Sequence, residues 1–198
     1  PGPLPPCAGL SAVELLGVLA VLVALGAAAG TGVAHLRSVV SIRSAAAEVG
    51  AALYRARMYA LTQGVNVGLK YRMRAGRAEW ALYGDGNGNG VRSADIASGA
   101  DRPIGVLVTW GRNDVRPGIM TGAAVPDPDG SGRRLSELDD PIRFNVSDIC
   151  SFSAVGESTP GSIYLWDGRD RMGVVRVYGR TGKIRTLYYR RGDRQWTK

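Results

Sequence analysis

The chain has 198 residues, 45% of them hydrophobic, and a formal net charge of +8. That length is enough for one domain with its own core, and a hydrophobic content this ordinary excludes a polytopic membrane protein. With one histidine and two cysteines, the sequence offers no histidine cluster for a metal, no serine-histidine-aspartate pattern and no disulfide framework, so we predict that the protein is not an enzyme.

The first predicted element is an apolar run over residues 9–34, which contains one charged side chain, Glu14. About 20 consecutive apolar residues suffice for a helix that crosses a bilayer, so residues 10–34 are predicted to be a transmembrane segment. A carboxylate inside such a run is costly and marks a functional position. The alternative is an ordinary membrane anchor or a secretion signal, although a signal has a shorter apolar region.

The placement of Gly9, Leu10 and Glu14 ahead of an unbroken apolar helix resembles the N-terminus of type IV pilin-like proteins. The resemblance implies that a prepilin peptidase cleaves after Gly9, removes residues 1–9 as a leader, and methylates the new N-terminus at Leu10. It also implies that Glu14 meets the N-terminal amine of a neighbouring subunit in a filament. Pairing an amine with a carboxylate cancels a desolvation cost that each would bear alone.

Beyond residue 34, apolar residues recur every three or four positions, which predicts an amphipathic helix that ends near Gly64. These residues are Leu36, Val39, Ile42, Ala46, Val49, Leu53, Ala56 and Ala60. We therefore predict one helix over residues 10–63, with residues 35–64 as the soluble half that packs on a domain.

Residues 65–198 are predicted to form a β-rich globular domain of about seven strands, because apolar and polar residues alternate in these segments. The predicted fold class is α+β: a long N-terminal helix, transmembrane in its first half, packed on an antiparallel β-sheet domain. The run of Ala56, Arg57, Ala60 and Gly64 resembles the pseudopilin H and FimT (GspH/FimT) branch of the pilin-like proteins. That resemblance implies the same pilin-like fold.

The segment that starts at Asp85 resembles the first half of an EF-hand-type or dockerin-like calcium loop. Oxygen ligands fall at alternate positions, and Gly90 allows a sharp turn at the sixth position. The candidate ligands for calcium, the one candidate cofactor, are Asp85, Asn87, Asn89, the carbonyl of Val91, and Asp95. The alternative is a loop of turn-forming residues that binds no metal.

Residues 168–198 contain ten basic and two acidic residues, so this segment carries a net charge equal to that of the whole chain. In FimT-like minor pilins, a Gly-Arg run ahead of the last strand is associated with DNA binding during uptake, and Arg180, Lys183 and Arg185 lie at a similar place. Such clusters attract phosphates without reading sequence. The alternative is a solvated strand that prevents edge aggregation. The candidate DNA-binding residues are Arg180, Lys183, Arg185, Arg190 and Arg191.

These resemblances imply a minor pilin or pseudopilin, which is a structural and assembly subunit of a type II secretion pseudopilus or a type IV pilus. The expected partners are other pilin or pseudopilin subunits, prepilin peptidase and the inner membrane. The expected localisation is a single-pass inner-membrane protein whose C-terminal domain lies in the periplasm or on a surface filament. The first alternative is a DNA-binding minor pilin for DNA uptake (competence), which uses the basic C-terminal strands. The second is a membrane-anchored calcium-binding domain that joins no filament.

Overall fold

The computed structural model describes residues 11–74, 77–110 and 114–198, without the side chains of residues 26–35. The chain divides into two compact units, one that ends at Arg37 and one that extends from Ser38 to Lys198. Helix α1, Ala12–Gln63, contributes residues to both units. It ends where Gly64 adopts a left-handed conformation with φ of 65°, a common way for a helix to stop.

The part of α1 in the second unit buries one face. Ile42, Val49 and Leu53 are almost fully buried, and Ala46 and Ala56 between them have no exposed surface. This periodicity of three and four is the one that the sequence shows. The small alanine side chains allow strands to approach the helix closely.

Within the described part of the chain, nine strands and a second helix, which is short, follow α1. They are β1 (Val67–Arg74), β2 (Arg77–Gly84), α2 (Ser93–Ser98), β3 (Arg102–Thr109), β4 (Arg116–Pro117), β5 (Ile142–Arg143), β6 (Ile149–Phe152), β7 (Gly161–Trp166), β8 (Arg171–Tyr178) and β9 (Lys183–Arg190). The first sheet has the strand order β3-β2-β1-β6, and the second has the order β4-β7-β8-β9 with β5 also paired to β7. All of these pairs are antiparallel.

Two hydrophobic clusters stabilise the second unit. The larger cluster joins the buried face of α1 to both sheets, through residues such as Leu69 of β1 and Val175 of β8. The smaller cluster lies on the other face of the second sheet, where Val174 and Tyr189 pack with residues of the 119–135 segment. Because neighbouring residues in a strand face opposite sides, the second sheet is buried on both faces over part of its area.

The predicted fold class, a pilin-like α+β fold with a long N-terminal helix, transmembrane in its first half, packed on an antiparallel β-sheet domain, is wrong, because no helix among the described residues is long and apolar enough to span a membrane. The strands form two separate antiparallel sheets. Alternation along a strand predicts which side chains are buried, but it does not predict which strands pair. Here β1–β3 and β7–β9 pair mainly with their neighbours in the chain, and β6 returns to the first sheet.

The predicted transmembrane segment is also wrong, and so is the single-pass inner-membrane localisation that depends on it. Among the residues that the structure describes, no helix has both the length and the apolar character needed to cross a membrane.

Candidate functional site

The N-terminus of α1 places Glu14 in a contact with its own chain. The N–H of Ser11 donates to Oε2 of Glu14 at 2.9 Å, and the N–H of Glu14 donates to Oγ of Ser11 at 3.2 Å. This reciprocal pair is a capping box, which satisfies two donors that the first turn of a helix otherwise leaves free. The processing residues Gly9 and Leu10 lie outside the described residues. The structure therefore assigns Glu14 a capping contact, and its predicted contact with a neighbouring amine stays a prediction.

The first turns of α1 expose apolar side chains to solvent. Val13 is 79% exposed, and Leu16 and Val23 are exposed to a similar degree. In this stretch the helix has apolar residues on all sides, so it has no face that favours water. Exposed apolar surface of this kind is typical of a contact with other molecules.

The carboxylate of Asp85 organises the predicted calcium loop. Its Oδ1 accepts the N–H groups of Gly88 at 2.7 Å and Asn87 at 3.3 Å. Its Oδ2 accepts the N–H of Gly90 at 2.8 Å and the side-chain amide of Asn66 at 2.9 Å. Partial burial by itself would raise the pKa of Asp85, but these hydrogen bonds outweigh it, so the pKa lies below its usual value.

The other candidate calcium ligands differ in their surroundings. Within the described residues, no group of three or more histidine, cysteine or acidic side chains is placed to hold a metal ion. The N–H of Asn89 donates to Oδ1 of Asn87, and Val91 is buried. Oδ2 of Asp95, in α2, is inaccessible to solvent and has no hydrogen-bond partner among the described residues. A buried carboxylate oxygen without a hydrogen-bond partner suits a cation, but this oxygen is a single ligand.

Asp101 is a loop residue that sequence reasoning missed. It is 1% exposed, and its carboxylate accepts the N–H groups of Gly86 at 3.1 Å and Arg92 at 2.9 Å. It thereby closes the 85–101 loop from its far end. Asp101 lies beyond the twelve-residue calcium motif, which covers residues 85–96 alone, so the motif does not predict this role.

A second loop, residues 127–133, has the same kind of hydrogen bonds as the first, from backbone N–H groups to side chains two or three positions earlier. The N–H of Asp129 donates to Oδ1 of Asp127 at 2.9 Å, and the N–H of Ser131 donates to Oδ1 of Asp129 at 2.7 Å. Here the carboxylates have cationic partners, because Arg133 lies 3.3 Å from Asp129 and Arg176 lies 3.7 Å from Asp127. The hydroxyl and N–H of Ser131, together with Arg133, lower the pKa of Asp129 to about 2. The second loop is thus built by alternate side chains that accept backbone N–H groups, as Asp85 and Asn87 do in the first loop, and this similarity favours the turn interpretation of the first loop.

The structure separates the five candidate DNA-binding residues. Lys183 and Arg185 are exposed on the same face of β9, and Arg180 is exposed in the turn before it. Arg190 lies on the opposite face of β9 by alternation. Arg191 lies beyond β9 and donates to two backbone carbonyls of neighbouring loops.

Two further residues join Lys183 and Arg185 on the outer face of the second sheet. Arg176 pairs with Arg185 across β8 and β9, and Tyr178 pairs with Lys183. The guanidinium carbon of Arg176 lies 5.9 Å from the centre of the Tyr178 ring, and that of Arg185 lies 5.8 Å from it. Like charges directly opposite each other destabilise a sheet, and stacking on the shared tyrosine offsets part of that cost. The hairpin register fixes these pairs. Pairing residues outward from the 179–182 turn would therefore have placed Tyr178 opposite Lys183 and Arg176 opposite Arg185.

No protein-family model, no curated protein and no solved structure matches this chain.

Proposed function

We propose that the chain is a structural subunit that assembles with related subunits through the N-terminal part of α1, in the role of a minor pilin or pseudopilin. The observation that carries this proposal is the exposed apolar surface of α1 between residues 13 and 25. Burying such side chains is worth about 1.5–3 kcal/mol each. A second helix of the same kind, supplied by another subunit, would bury this surface on both partners.

Glu14 contributes to this role in two separable ways. Its carboxylate caps the helix that makes the contact, and its charge is available to an amine of a neighbouring subunit. Glutamine can replace glutamate in a capping box, so Glu14→Gln keeps the cap and removes the charge. Glu14→Ala removes both.

The experiment measures how much of each variant is recovered in filaments sheared from cells that produce the chain. We expect Glu14→Ala to fold and to enter filaments poorly. If Glu14→Gln behaves like wild type, the cap is what assembly needs; if it behaves like Glu14→Ala, the charge is needed. Normal incorporation of Glu14→Ala would contradict the role of this residue, and absence of the wild-type chain from any filament would contradict the proposed function.

A second candidate function is DNA binding by the outer face of the second sheet. The observation that favours it is the cross-strand pair of Arg176 and Arg185, which share the Tyr178 ring. Arg185 is exposed, and Arg176 also contacts Asp127 at 3.7 Å. Two adjacent guanidinium groups suit a phosphate, and binding of this type falls steeply with salt.

The test is a mobility shift of duplex DNA at low salt, where we expect micromolar affinity. Changing Arg176 and Arg185 to Gln should weaken binding and reduce its dependence on salt. The matched control changes Arg190 and Arg191 to Gln, which removes the same charge from other surfaces. Equal losses in the two double variants would mean that net charge alone attracts DNA, and no shift with the wild-type chain would reject this function.

A further inference from the structure

An apolar groove of about 220 Å³ lies between α1 and the edge strand β3 in the second unit. Ala52, Trp80 and Ile104 are among the residues that form its walls, and Arg55 is the one charged residue among the described residues that line it. A cavity of about 150 Å³ holds a benzene ring. The groove therefore has room for one branched apolar side chain.

Strand β3 directs apolar side chains toward this groove and toward solvent. Its pairing with β2 shifts register between Trp80 and Leu82, and Gly105 has a φ of 84°. These features mark a β-bulge. At the edge of a sheet, a bulge changes the direction in which a side chain points. Val106, which lines the groove, is 82% exposed. An apolar side chain held outward beside an apolar groove indicates a contact with another molecule.

The same chain carries a loop that complements the groove. In the Leu138 loop, residues 136–140, every residue is exposed, and Leu138 is surrounded in sequence by Glu137, Asp139 and Asp140. The guanidinium of Arg143 donates to three backbone carbonyls of this loop. Glu137 has a φ of 52°, which is uncommon for a residue other than glycine. Arg143 therefore holds the loop in place, and the side chain of Leu138, which is 38% exposed, lies among carboxylates in the sequence.

We propose that the Leu138 loop of one copy docks in the groove between α1 and β3 of a second copy. The leucine fills the apolar groove, and the carboxylates of the loop face Arg55 on the groove and Arg102 at the start of β3. This charge complementarity favours the acidic loop as the occupant of the groove.

The two surfaces of this contact are different, so the contact is heterologous. Such contacts build rings or open rows instead of closing a two-fold dimer. The inference thus deepens the proposed function, on which it rests, because it names a second contact between subunits that the N-terminal helix already holds together. That helix contact raises the effective concentration at which the groove and the loop meet.

Disulfide cross-linking of the full chain tests the contact. One copy carries Val106→Cys and the other carries Leu138→Cys, both in a Cys7→Ser background, while Cys150 stays buried. After the two are mixed and oxidised, we expect the mixed dimer to exceed both same-variant dimers. A mixed dimer no more abundant than chance would overturn the proposal.

A charge exchange provides the specificity control. Adding Arg55→Glu to the Val106→Cys copy should lower the cross-link yield about fivefold, the order expected for exposed ion pairs. Adding Asp139→Lys to the Leu138→Cys copy should then restore part of the yield. No loss with Arg55→Glu, or cross-linking of Val106→Cys to a different protein in filaments, would overturn the proposal. A missing cross-link in filaments that form normally rejects this contact and leaves the helix contact intact.

Discussion

Asp85 offers a sharp test of the 85–101 loop, because its carboxylate accepts four hydrogen bonds. In Asp85→Ala, water can replace the carboxylate at the exposed N–H groups of Asn87 and Gly88. The donors of Asn66 and Gly90 are partly buried, and each costs about 1 kcal/mol when it loses its acceptor. We therefore expect the free energy of unfolding to fall by about 2 kcal/mol, which lowers Tm by about 4–8 °C for a protein of this size.

Thermal unfolding of the full chain, followed by circular dichroism at pH 7 with EDTA, measures this change. The matched control is Asp129→Ala, which removes a carboxylate from the second loop where it is exposed and bonded to local groups. We expect a smaller fall in Tm for the control. If Asp85→Ala loses no more than Asp129→Ala, the four hydrogen bonds of Asp85 do not stabilise the loop and the reasoning fails.

The pH dependence of stability provides a second readout for Asp85. Its pKa is lower in the folded protein than in the unfolded chain, so its stabilising contribution is present above the unfolded value of about 4. That contribution disappears as the pH falls through the folded pKa. The difference in stability between wild type and Asp85→Asn should therefore narrow below about pH 4. A difference that stays constant down to strongly acidic pH would contradict the lowered pKa.

Three other expectations concern calcium, the cysteine and the β8–β9 turn. If the loop binds calcium, millimolar calcium should raise Tm of the wild type but not of an Asp85→Ala, Asp95→Ala double variant; no shift would leave the turn interpretation alone. Burial raises the pKa of the Cys150 thiol, so a thiol reagent should modify it after unfolding, and fast modification of the native chain would contradict its position. Gly182→Ala should lower Tm more than Gly192→Ala, although both glycines have a positive φ. An added Cβ at 182 would lie 2.5 Å from a backbone carbonyl oxygen, whereas an added Cβ at 192 would meet nothing within 4 Å. Equal effects would show that φ alone matters.

Local patterns in the sequence were sufficient for several parts of the fold. The spacing of Ile42, Val49 and Leu53 predicts the face of α1 that the structure buries, because one helical face needs apolar residues every three or four positions. The segment 179–182 is typical of a tight turn, and the structure pairs β8 with β9 across it.

Other features depend on pairings that local patterns do not contain. The division of strands into two sheets depends on β6, which pairs with β1 across about 80 residues of chain. Asp101 reaches back to the N–H of Gly86, and a motif of fixed length omits such a partner. Arg190 lies away from Lys183 because alternation along β9 places odd and even positions on opposite faces. A count of charges in a segment cannot distinguish those faces.

The contacts of α1 also determine when this chain can fold during synthesis. Ser38 bonds to Asp167 and Arg57 bonds to the carbonyl of Thr181, across 129 and 124 positions of sequence. At a synthesis rate of about 5–20 residues per second, the partners of the helix emerge from the ribosome roughly 6–25 s after the helix itself. During that interval β1 and β2 can already pack on the apolar face of α1, but the part of that face that contacts the second sheet has no native partner, so the nascent chain is exposed to misassembly until its last strands arrive. The order of the elements along the chain therefore delays these contacts to the end of synthesis, and a circular permutant that starts at β7 would shorten the delay.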